Sequence, residues 1–482
     1  MHAEWAVSVI PGDIEVMKKS IFREYDIRGV VERDLSAEVV RDIAQAVASL
    51  AAERGETSVA VGRDGRLSSP MLCDAVKAGI RAAGLDVLDL GAVSTPLLYY
   101  ATHVLAETRA GVMVTGSHNP PDYNGLKIVI DRIALHGEVI RDLRRRIETG
   151  DLRHGHGGER AISLRAGYIQ QVSSTLPLPR PLKVVVDCGN AIAAKTAPTL
   201  LRALGCDVVE LYCEVDGRFP HHHPDPSLPE NLVDLQAAVL AQQADIGLAF
   251  DGDADRLGIV DNTGGIIWPD RVLMALAEEV LTRCPGAAVV YDIKCSWHLT
   301  RLIERLGGRA ILWKSGHSLI KAKMRETGAL LGGELTGHFA HADDWFGFDD
   351  AFYAAARLLN LLARQSGSSA EFFAAWPTGL TTPELRLDMA EGEPVAFMNR
   401  LLAQADFGQD ARLIMVDGLR VEFPHGWGLV RASNTTPSLV LRFEADDSTS
   451  MGEIQERFRR QLWALQPNLT LPFGQDSLVA QQ

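Results

Sequence analysis

The chain has 482 residues, is 46% hydrophobic and 23% charged, and carries a formal net charge of −14. At ~150 residues per domain this length calls for about three or four domains, and the balance of apolar to charged residues excludes a disordered chain. The acidic total disfavours binding along a nucleic-acid backbone, no apolar run approaches the ~18 residues of a membrane span, and small anionic substrates remain possible in a cleft that concentrates basic residues.

The N-terminal MHAEWAVSVIPGDIEV lacks the basic leading region and long apolar core of a signal peptide. Cys73, Cys188, Cys206, Cys213, Cys284 and Cys295 form no CxxC pair and are thinly spread, which predicts reduced thiols in a cytoplasmic enzyme rather than a disulfide framework or a zinc site.

TSVAVGRDGR (57–66) predicts a buried strand at Val59–Val61, and SPMLCDAVKAGIRAAG (69–84) a helix. In GVMVTGSHNPPDYNGLKI (111–128) a buried run, Gly111–Val114, leads into Thr115-Gly116-Ser117-His118-Asn119 and then two prolines that forbid continued strand or helix. Ser117 is thereby projected from a sharply turned loop at a strand end, where α/β proteins place ligands. His118 and Lys127 lie close enough in sequence to move a proton or neutralise charge. Alone, such a loop reads equally well as a polar surface turn. It is not a nucleophile elbow, because Thr115 and Asn119 occupy the required glycine positions. There is no GxxxxGK[ST] loop, and GHGG at 155–158 lacks the preceding strand of a dinucleotide site.

RRRIETGDLRHGHGGER (144–160) ends a helix and opens a loop, and SSTLPLPRPLK (173–183) resembles a linker or domain entry. LKVVVDCGN (182–190) predicts a strand at Val184–Val186, and KTAPTLLRALG (195–205) a helix. In ADIGLAFDGDADRLGIVD (244–261) the apolar strand Ile246–Phe250 runs into Asp251, Asp253 and Asp255. Three crowded carboxylates each raise the cost of ionising the next; a hard divalent cation such as Mg²⁺ removes that cost. A calcium loop of the EF-hand type is excluded, since its glycine and glutamate positions hold Arg256 and Asn262. An aspartyl-nucleophile D-x-D-x-[TV] loop is excluded as well, since Asp255 stands where Thr or Val belongs.

AAVVYDIKC (287–295) predicts another strand at Val289–Tyr291. In WKSGHSLIKAKM and LLGGELTGHFA (within 313–340), Glu334, Thr336 and His338 alternate in a glycine-flanked loop suited to vicinal sugar hydroxyls. Lys294 and His317, taken alone, read as well as ordinary surface residues. Near 375–390 the chain shifts toward strand character. In GLVRASNTTPSLVLRFEA (428–445), Arg431, Ser433, Asn434 and Thr435 form a loop of donors suited to a phosphate dianion or to a simple hairpin turn. LVLRFEA (439–445) reads as a strand and MGEIQERFRRQLWAL (451–465) as an amphipathic helix, making the last ~100 residues a smaller α+β domain. Strands alternating with helices elsewhere predict α/β layers with largely parallel sheets, repeated as whole domains.

Taken together, TGSHNPPDYNGLKI, DGDADR, GELTGH and RASNTTP, in that order, resemble the alpha-D-phosphohexomutase superfamily, most closely its bacterial phosphomannomutase/phosphoglucomutase branch. The resemblance runs from FREYDIRGV (22–30) to the final helix and includes CEVDGRFPHHHPDPSLPENL (213–232) and WFGFDDAFYAAARLL (345–359), so His221–His223 belongs to a family loop rather than a zinc site. It implies three related α/β domains and a C-terminal α+β domain around a central cleft, with boundaries placed at 17–162, 163–265, 266–377 and 378–482.

The resemblance also implies roles. Ser117 would carry the phosphoryl group, and Asp251, Asp253 and Asp255 would hold Mg²⁺ with a phosphoserine oxygen. Glu334, Thr336 and His338 would touch sugar hydroxyls. Arg431, Ser433, Asn434 and Thr435 would hold the non-reacting phosphate, with Tyr25, Arg28, Lys294 and His317 as further cleft contacts. Arg256, Lys127 and Arg28 would offset the repulsion between phosphates, ~4 kcal/mol per unit charge pair at 4 Å and an effective dielectric near 20. The implied reaction interconverts hexose 1- and 6-phosphates of mannose or glucose through a 1,6-bisphosphate, with glucose 1,6-bisphosphate as activator. His118, Lys127 and His338 are all candidates for the acid and base. A cytoplasmic monomer acting on small hexose phosphates is expected.

Three departures stand out: GELTGH where the branch usually has GEMSGH, Ala254 where glycine is usual, and CGNAIA (188–193) for CGNGAG. Ala254 matters only if its φ must be positive. Phosphoglucosamine mutase is the alternative within the superfamily, although its members usually carry Gln where Leu335 stands; a non-catalytic sugar-phosphate sensor and a phosphatase on the same scaffold are the others.

Overall fold

The computed structural model describes residues 18–433 and 436–474. Four sheets succeed one another along the chain. In the first, Ser58–Arg63 lies parallel to both Asp86–Ala92 and Gly111–Val114, and Tyr123–Ile130 runs antiparallel to Gly111–Val114 and to Ile27–Val30. In the second, Lys183–Asp187 pairs in parallel with Asp207–Leu211 and Ile246–Phe250, and Leu257–Asp261 closes back antiparallel. The third repeats the scheme: Ala288–Asp292 is parallel to Arg309–Trp313 and Leu331–Gly333, and Phe339–His341 is antiparallel.

The expectation of largely parallel sheets therefore needs correcting, and the reason is loop length. A parallel crossover needs about a dozen residues or more. Only residues 115–122, 251–256 and 334–338 separate the paired strands at these three points, so each connection must be a hairpin. The serine, acidic and glycine-flanked motifs are thus the tips of three equivalent hairpins.

The expected strands at 59–61, 184–186 and 289–291 lie inside Ser58–Arg63, Lys183–Asp187 and Ala288–Asp292, and the expected run 246–250 is the strand Ile246–Phe250. Their β-branched and aromatic side chains are almost wholly buried, as strands covered on both faces require. Ser36 caps the helix Ala37–Glu53 by accepting from Val39 N at 3.3 Å. Tyr100, Tyr168, Leu248, Phe250, Trp345 and Phe352 belong to one continuous apolar core that joins the first three sheets. Burying each such large side chain contributes roughly 1.5–3 kcal/mol, so the three hairpin tips share a common foundation.

The fourth sheet is antiparallel and is backed by the helices Glu393–Gln404 and Ser448–Leu465. Its core of Phe397, Leu419, Phe443 and Phe458 is separate. It meets the third unit through Ile293, Trp297, Trp427 and Leu429 and through Arg420, which donates to Ile293 O at 2.8 Å and Cys295 O at 2.7 Å. Among the described residues no helix is long and apolar enough to cross a membrane, and all six thiols are unpaired.

Candidate active site

Ser117 is buried and holds φ at +47°, at the apex of the first hairpin tip. Its Oγ lies 2.9 Å from Asp251 Oδ2 and 3.1 Å from His118 Nδ1. The loop is held from beneath by a residue that sequence reasoning did not single out. The buried Arg66 donates from Nη2 to Ser117 O at 2.7 Å and Asn119 O at 2.5 Å, and from Nη1 to Pro120 O at 2.6 Å and Tyr123 O at 3.1 Å. Asp64 completes the clamp by accepting from Thr115 Oγ1 at 2.8 Å and Gly116 N at 3.2 Å. Both lie in the GRDGR stretch, whose charged residues at the end of a buried strand were the available signal.

The second tip brings Asp251, Asp253 and Asp255 together with ligand atoms mutually within 4.8 Å, all fully buried. A solvated acidic turn is thereby excluded. Burial, with Asp253 and Asp255 beside it, pushes the Asp251 carboxyl well up. Burial also opposes ionising Asp253, but the Lys127 ammonium outweighs it and holds that carboxyl below the usual range. Asp253 Oδ1 and Asp255 Oδ1 are buried without a hydrogen-bond partner. Orphaned oxygens on an all-carboxylate set fit a hard divalent cation.

Ala254 sits at φ +63°. The positive φ that would give glycine an advantage is therefore present, and this chain accommodates an alanine there.

Lys127 stands between the carboxylates, 2.6 Å from Asp253 Oδ2 and 2.5 Å from Asp255 Oδ2. Burial alone would favour losing its proton, but Asp253 and Asp255 overcome this and raise it well above the ordinary lysine value. An ammonium so held neutralises charge on Asp253 and Asp255. His118 is held well below the ordinary histidine value by burial and by Arg256, Arg28 and Lys127, and is neutral at pH 7.

At the third tip Glu334 Oε1 accepts from Gly316 N, and Thr336 Oγ1 donates to Glu334 Oε2 at 3.1 Å. His338 pairs with the acidic hairpin through a bridge to Arg256, whose Nε donates to His338 Nε2 at 3.0 Å. His338 Nδ1 lies 3.0 Å from Asp349 Oδ2, and His317 Nδ1 lies 3.1 Å from the same oxygen. The two imidazoles stack with centroids 5.1 Å apart. Lys321 donates to Asp349 Oδ1 at 2.5 Å. Neither Asp349 nor Lys321 was picked out in the sequence, although both lie in quoted stretches.

The remaining expected residues are spread around these tips. Tyr25 donates to Ser315 O at 2.7 Å, and a Cβ on Gly316 would stand 2.5 Å from its ring, so the first unit touches the third here. Arg28 bonds Asp26 at 2.5 Å. Lys294 is buried and donates to Glu384 Oε1 at 2.6 Å. Arg431 is gripped by both oxygens of Asp417, at 3.0 and 3.3 Å, and Asp417 also accepts from Ser315 N at 3.1 Å. Ser433 Oγ accepts from Thr436 N at 3.2 Å; Asn434 and Thr435 lie outside the described residues. The triple histidine is dispersed onto protein partners: His221 on Asn190, His222 on Asp187 and His223 on the His118 carbonyl.

Fold and site together define a four-domain α/β protein built around a buried serine–carboxylate centre. Four family models match the chain in order: phosphoglucomutase/phosphomannomutase alpha/beta/alpha domain I over residues 19–154, domain II over 166–265, domain III over 268–378 and the C-terminal domain over 381–461. The chain belongs to the phosphoglucomutase/phosphomannomutase family. It is 52% identical to a phosphomannomutase/phosphoglucomutase of Pseudomonas aeruginosa over 94% of this chain and 98% of that protein. It is 47% identical to a phosphoglucomutase of Neisseria gonorrhoeae over 92% and 96% of the two chains. A crystal structure of a phosphoglucomutase/phosphomannomutase family protein from Burkholderia thailandensis superposes with a TM-score of 0.91 at 47% identity, covering 95% of this chain and all of that one.

Proposed function

We propose that the chain interconverts the 1- and 6-phosphates of mannose and glucose through phospho-Ser117 and a hexose 1,6-bisphosphate. One observation carries this reading: Ser117 Oγ stands 2.9 Å from Asp251 Oδ2, beside two carboxylates whose other oxygens lack hydrogen-bond partners. The names of the similar bacterial proteins point the same way. Asp251, Asp253 and Asp255 would hold Mg²⁺, which would stabilise charge on the transferring phosphoryl group.

In the first half-reaction the bond between phosphorus and Ser117 Oγ breaks and one forms to the sugar's free hydroxyl oxygen, whose proton leaves to a base. After the bisphosphate turns over, the other phosphate returns to Ser117 Oγ. His338 is assigned as that base: Asp349 faces its Nδ1, and Nε2, which accepts from Arg256 Nε, would take the proton once the Arg256 guanidinium turns to the substrate phosphate. His118, against the serine itself, would accompany the proton on Ser117 Oγ. Glu334 and Thr336 would bind sugar hydroxyls. Arg431, Ser433, Asn434 and Thr435 would anchor the distant phosphate, which would replace Asp417 on the Arg431 guanidinium. Tyr25, Arg28, Lys294 and His317 would line the same cleft, and Arg256 would offset phosphate charge. Added glucose 1,6-bisphosphate would load the serine, hence activation. The unpaired thiols are in keeping with a reducing, cytoplasmic setting.

The test is a coupled assay with Mg²⁺ and a trace of glucose 1,6-bisphosphate, comparing mannose, glucose and glucosamine 1-phosphates. The first two should convert rapidly, and Ser117→Ala should abolish turnover. Preference for glucosamine 1-phosphate would move the chain to the sister activity, release of inorganic phosphate would make it a phosphatase, and no turnover at all would leave a sensor.

A further inference from the structure

Between the first and third sheets lies a cavity of about 520 Å³ that the proposed reaction does not use. Its volume is in the range of small-molecule sites, ~300–1,000 Å³. The apolar wall is aromatic: Phe346 and Phe348 lie nearly parallel, 6° apart with centroids at 6.1 Å, and His103 packs on both at 4.9 and 5.5 Å. Tyr99 and Met324 continue this lining inward. Burial, aided by Arg132 and Arg325, pushes His103 down to about 4, so its ring is neutral and joins the apolar wall at pH 7.

The charges facing the cavity are mostly positive. Arg132 and Arg325 line it and are exposed. Among the described residues neither guanidinium has a carboxylate within 4.0 Å, and the nearby Asp131 is already paired with Arg109 at 2.7 Å. Arg132 is held in place by donating Nε to Thr102 O at 3.0 Å from a turn in which both Asp131 and Arg132 take positive φ, +55° and +61°. These two residues join Tyr123–Ile130 to the antiparallel Ile133–Ala134, and two positive φ values are the conformation a two-residue hairpin favours. At the inner end Lys321 forms the partition from the catalytic cleft. It lines this cavity, lies 4.2 Å over the Tyr99 ring, and bonds Asp349 at 2.5 Å on its other side, with His317 Nδ1 at 3.3 Å.

We propose that this cavity is a second ligand site, taking a small anion with a flat apolar body, such as an aromatic sulfonate, carboxylate or phosphate ester, and that its occupancy is felt at His317 and His338 through Lys321. The ring lies against Phe346 and Phe348, and the anionic head meets Arg132 and Arg325, where bidentate hydrogen bonds are available. A ring buried beside Tyr99 and Lys321 alters the ammonium that Asp349 depends on, and Asp349 faces both histidines.

The probe is 8-anilinonaphthalene-1-sulfonate, titrated by fluorescence into the full-length Mg²⁺-loaded chain with and without saturating glucose 1-phosphate. One saturable site is expected, unaffected by the sugar phosphate and weakened at least tenfold by Arg132→Ala combined with Arg325→Ala. That double variant should keep the wild-type mutase rate without dye. Ala134→Trp, which narrows the cavity from the hairpin that carries Arg132, should weaken the dye similarly at an unchanged melting temperature. In the wild type the bound dye should lower kcat at least twofold, and in the double variant it should not. Equal binding to wild type and both variants, or displacement by glucose 1-phosphate, overturns the site; binding without any change in kcat overturns its coupling through Lys321. The binding arms need no turnover, so they decide the site even if the mutase activity is not found.

Discussion

Gly252 lies directly against Ser117: a Cβ on Gly252 would stand 1.9 Å from the Ser117 carbonyl oxygen and 2.7 Å from its carbonyl carbon. The two hairpin tips are therefore stacked backbone on backbone, and the serine-to-carboxylate distance is set by that contact. Gly252→Ala should force them apart. Overpacking of this kind costs roughly 1–3 kcal/mol, and kcat should fall at least tenfold because the reacting oxygen leaves its carboxylates. A variant with wild-type kcat would show that the contact does not set the geometry.

Ala254 bears the left-handed conformation of the acidic tip at φ +63° while its methyl group is buried in the core shared by three sheets. Replacing it with glycine relieves ~1–2 kcal/mol of backbone strain but loses ~0.8 kcal/mol of buried methyl and some chain entropy. Ala254→Gly should thus change stability by less than about 1 kcal/mol. Ala254→Val, β-branched at the same φ, should be clearly destabilised. Chemical denaturation of the pair measures both.

Lys127 neutralises Asp253 and Asp255 from within the protein. Lys127→Met should lose about 3–5 kcal/mol, since one side of a buried ion pair is removed. Saturating Mg²⁺ should then raise the melting temperature of the variant more than that of the wild type, because the cation becomes the main source of positive charge among these carboxylates. Calorimetry with and without chelator measures this; equal shifts would mean that the carboxylates do not share the cation.

His103 supplies a pH dependence whose sign follows from its lowered folded value of about 4 against ~6.5 unfolded. Between these values the unfolded chain binds the extra proton, so stability is full above about pH 6.5 and falls as pH drops toward 4. With allowance for its partial exposure, the loss is about 2 kcal/mol. His103→Leu should flatten that arm of the stability profile, as read by urea midpoints from pH 4 to 7.

The parts of the site legible in the sequence were those written locally. Asp251, Asp253 and Asp255 alternate at the end of one apolar strand, and the structure gathers all three. Arg66 was not legible as a clamp because its partners lie from 51 to 57 residues away. Asp349 hides beside Asp350, which caps a helix by accepting from Phe352 and Tyr353, and only the fold turns one toward histidines and the other toward a helix. The antiparallel tips could have been read from connection length alone, since residues 251–256 are too few for a crossover. Lys127 was found, but its role depended on carboxylates more than 120 residues distant.

Arg66 grips carbonyl groups at residues 117, 119, 120 and 123 with a single buried guanidinium. A serine tethered in this way is stationary. On the mutase reading, whatever motion joins the two half-reactions then belongs to the bisphosphate, which must present first one end and then the other to the same fixed oxygen. A cleft obliged to welcome its intermediate in both directions cannot inspect any one sugar carbon strictly. Tolerance of hexose epimers would then follow from an immobile nucleophile, as a by-product of symmetry demanded of the guest.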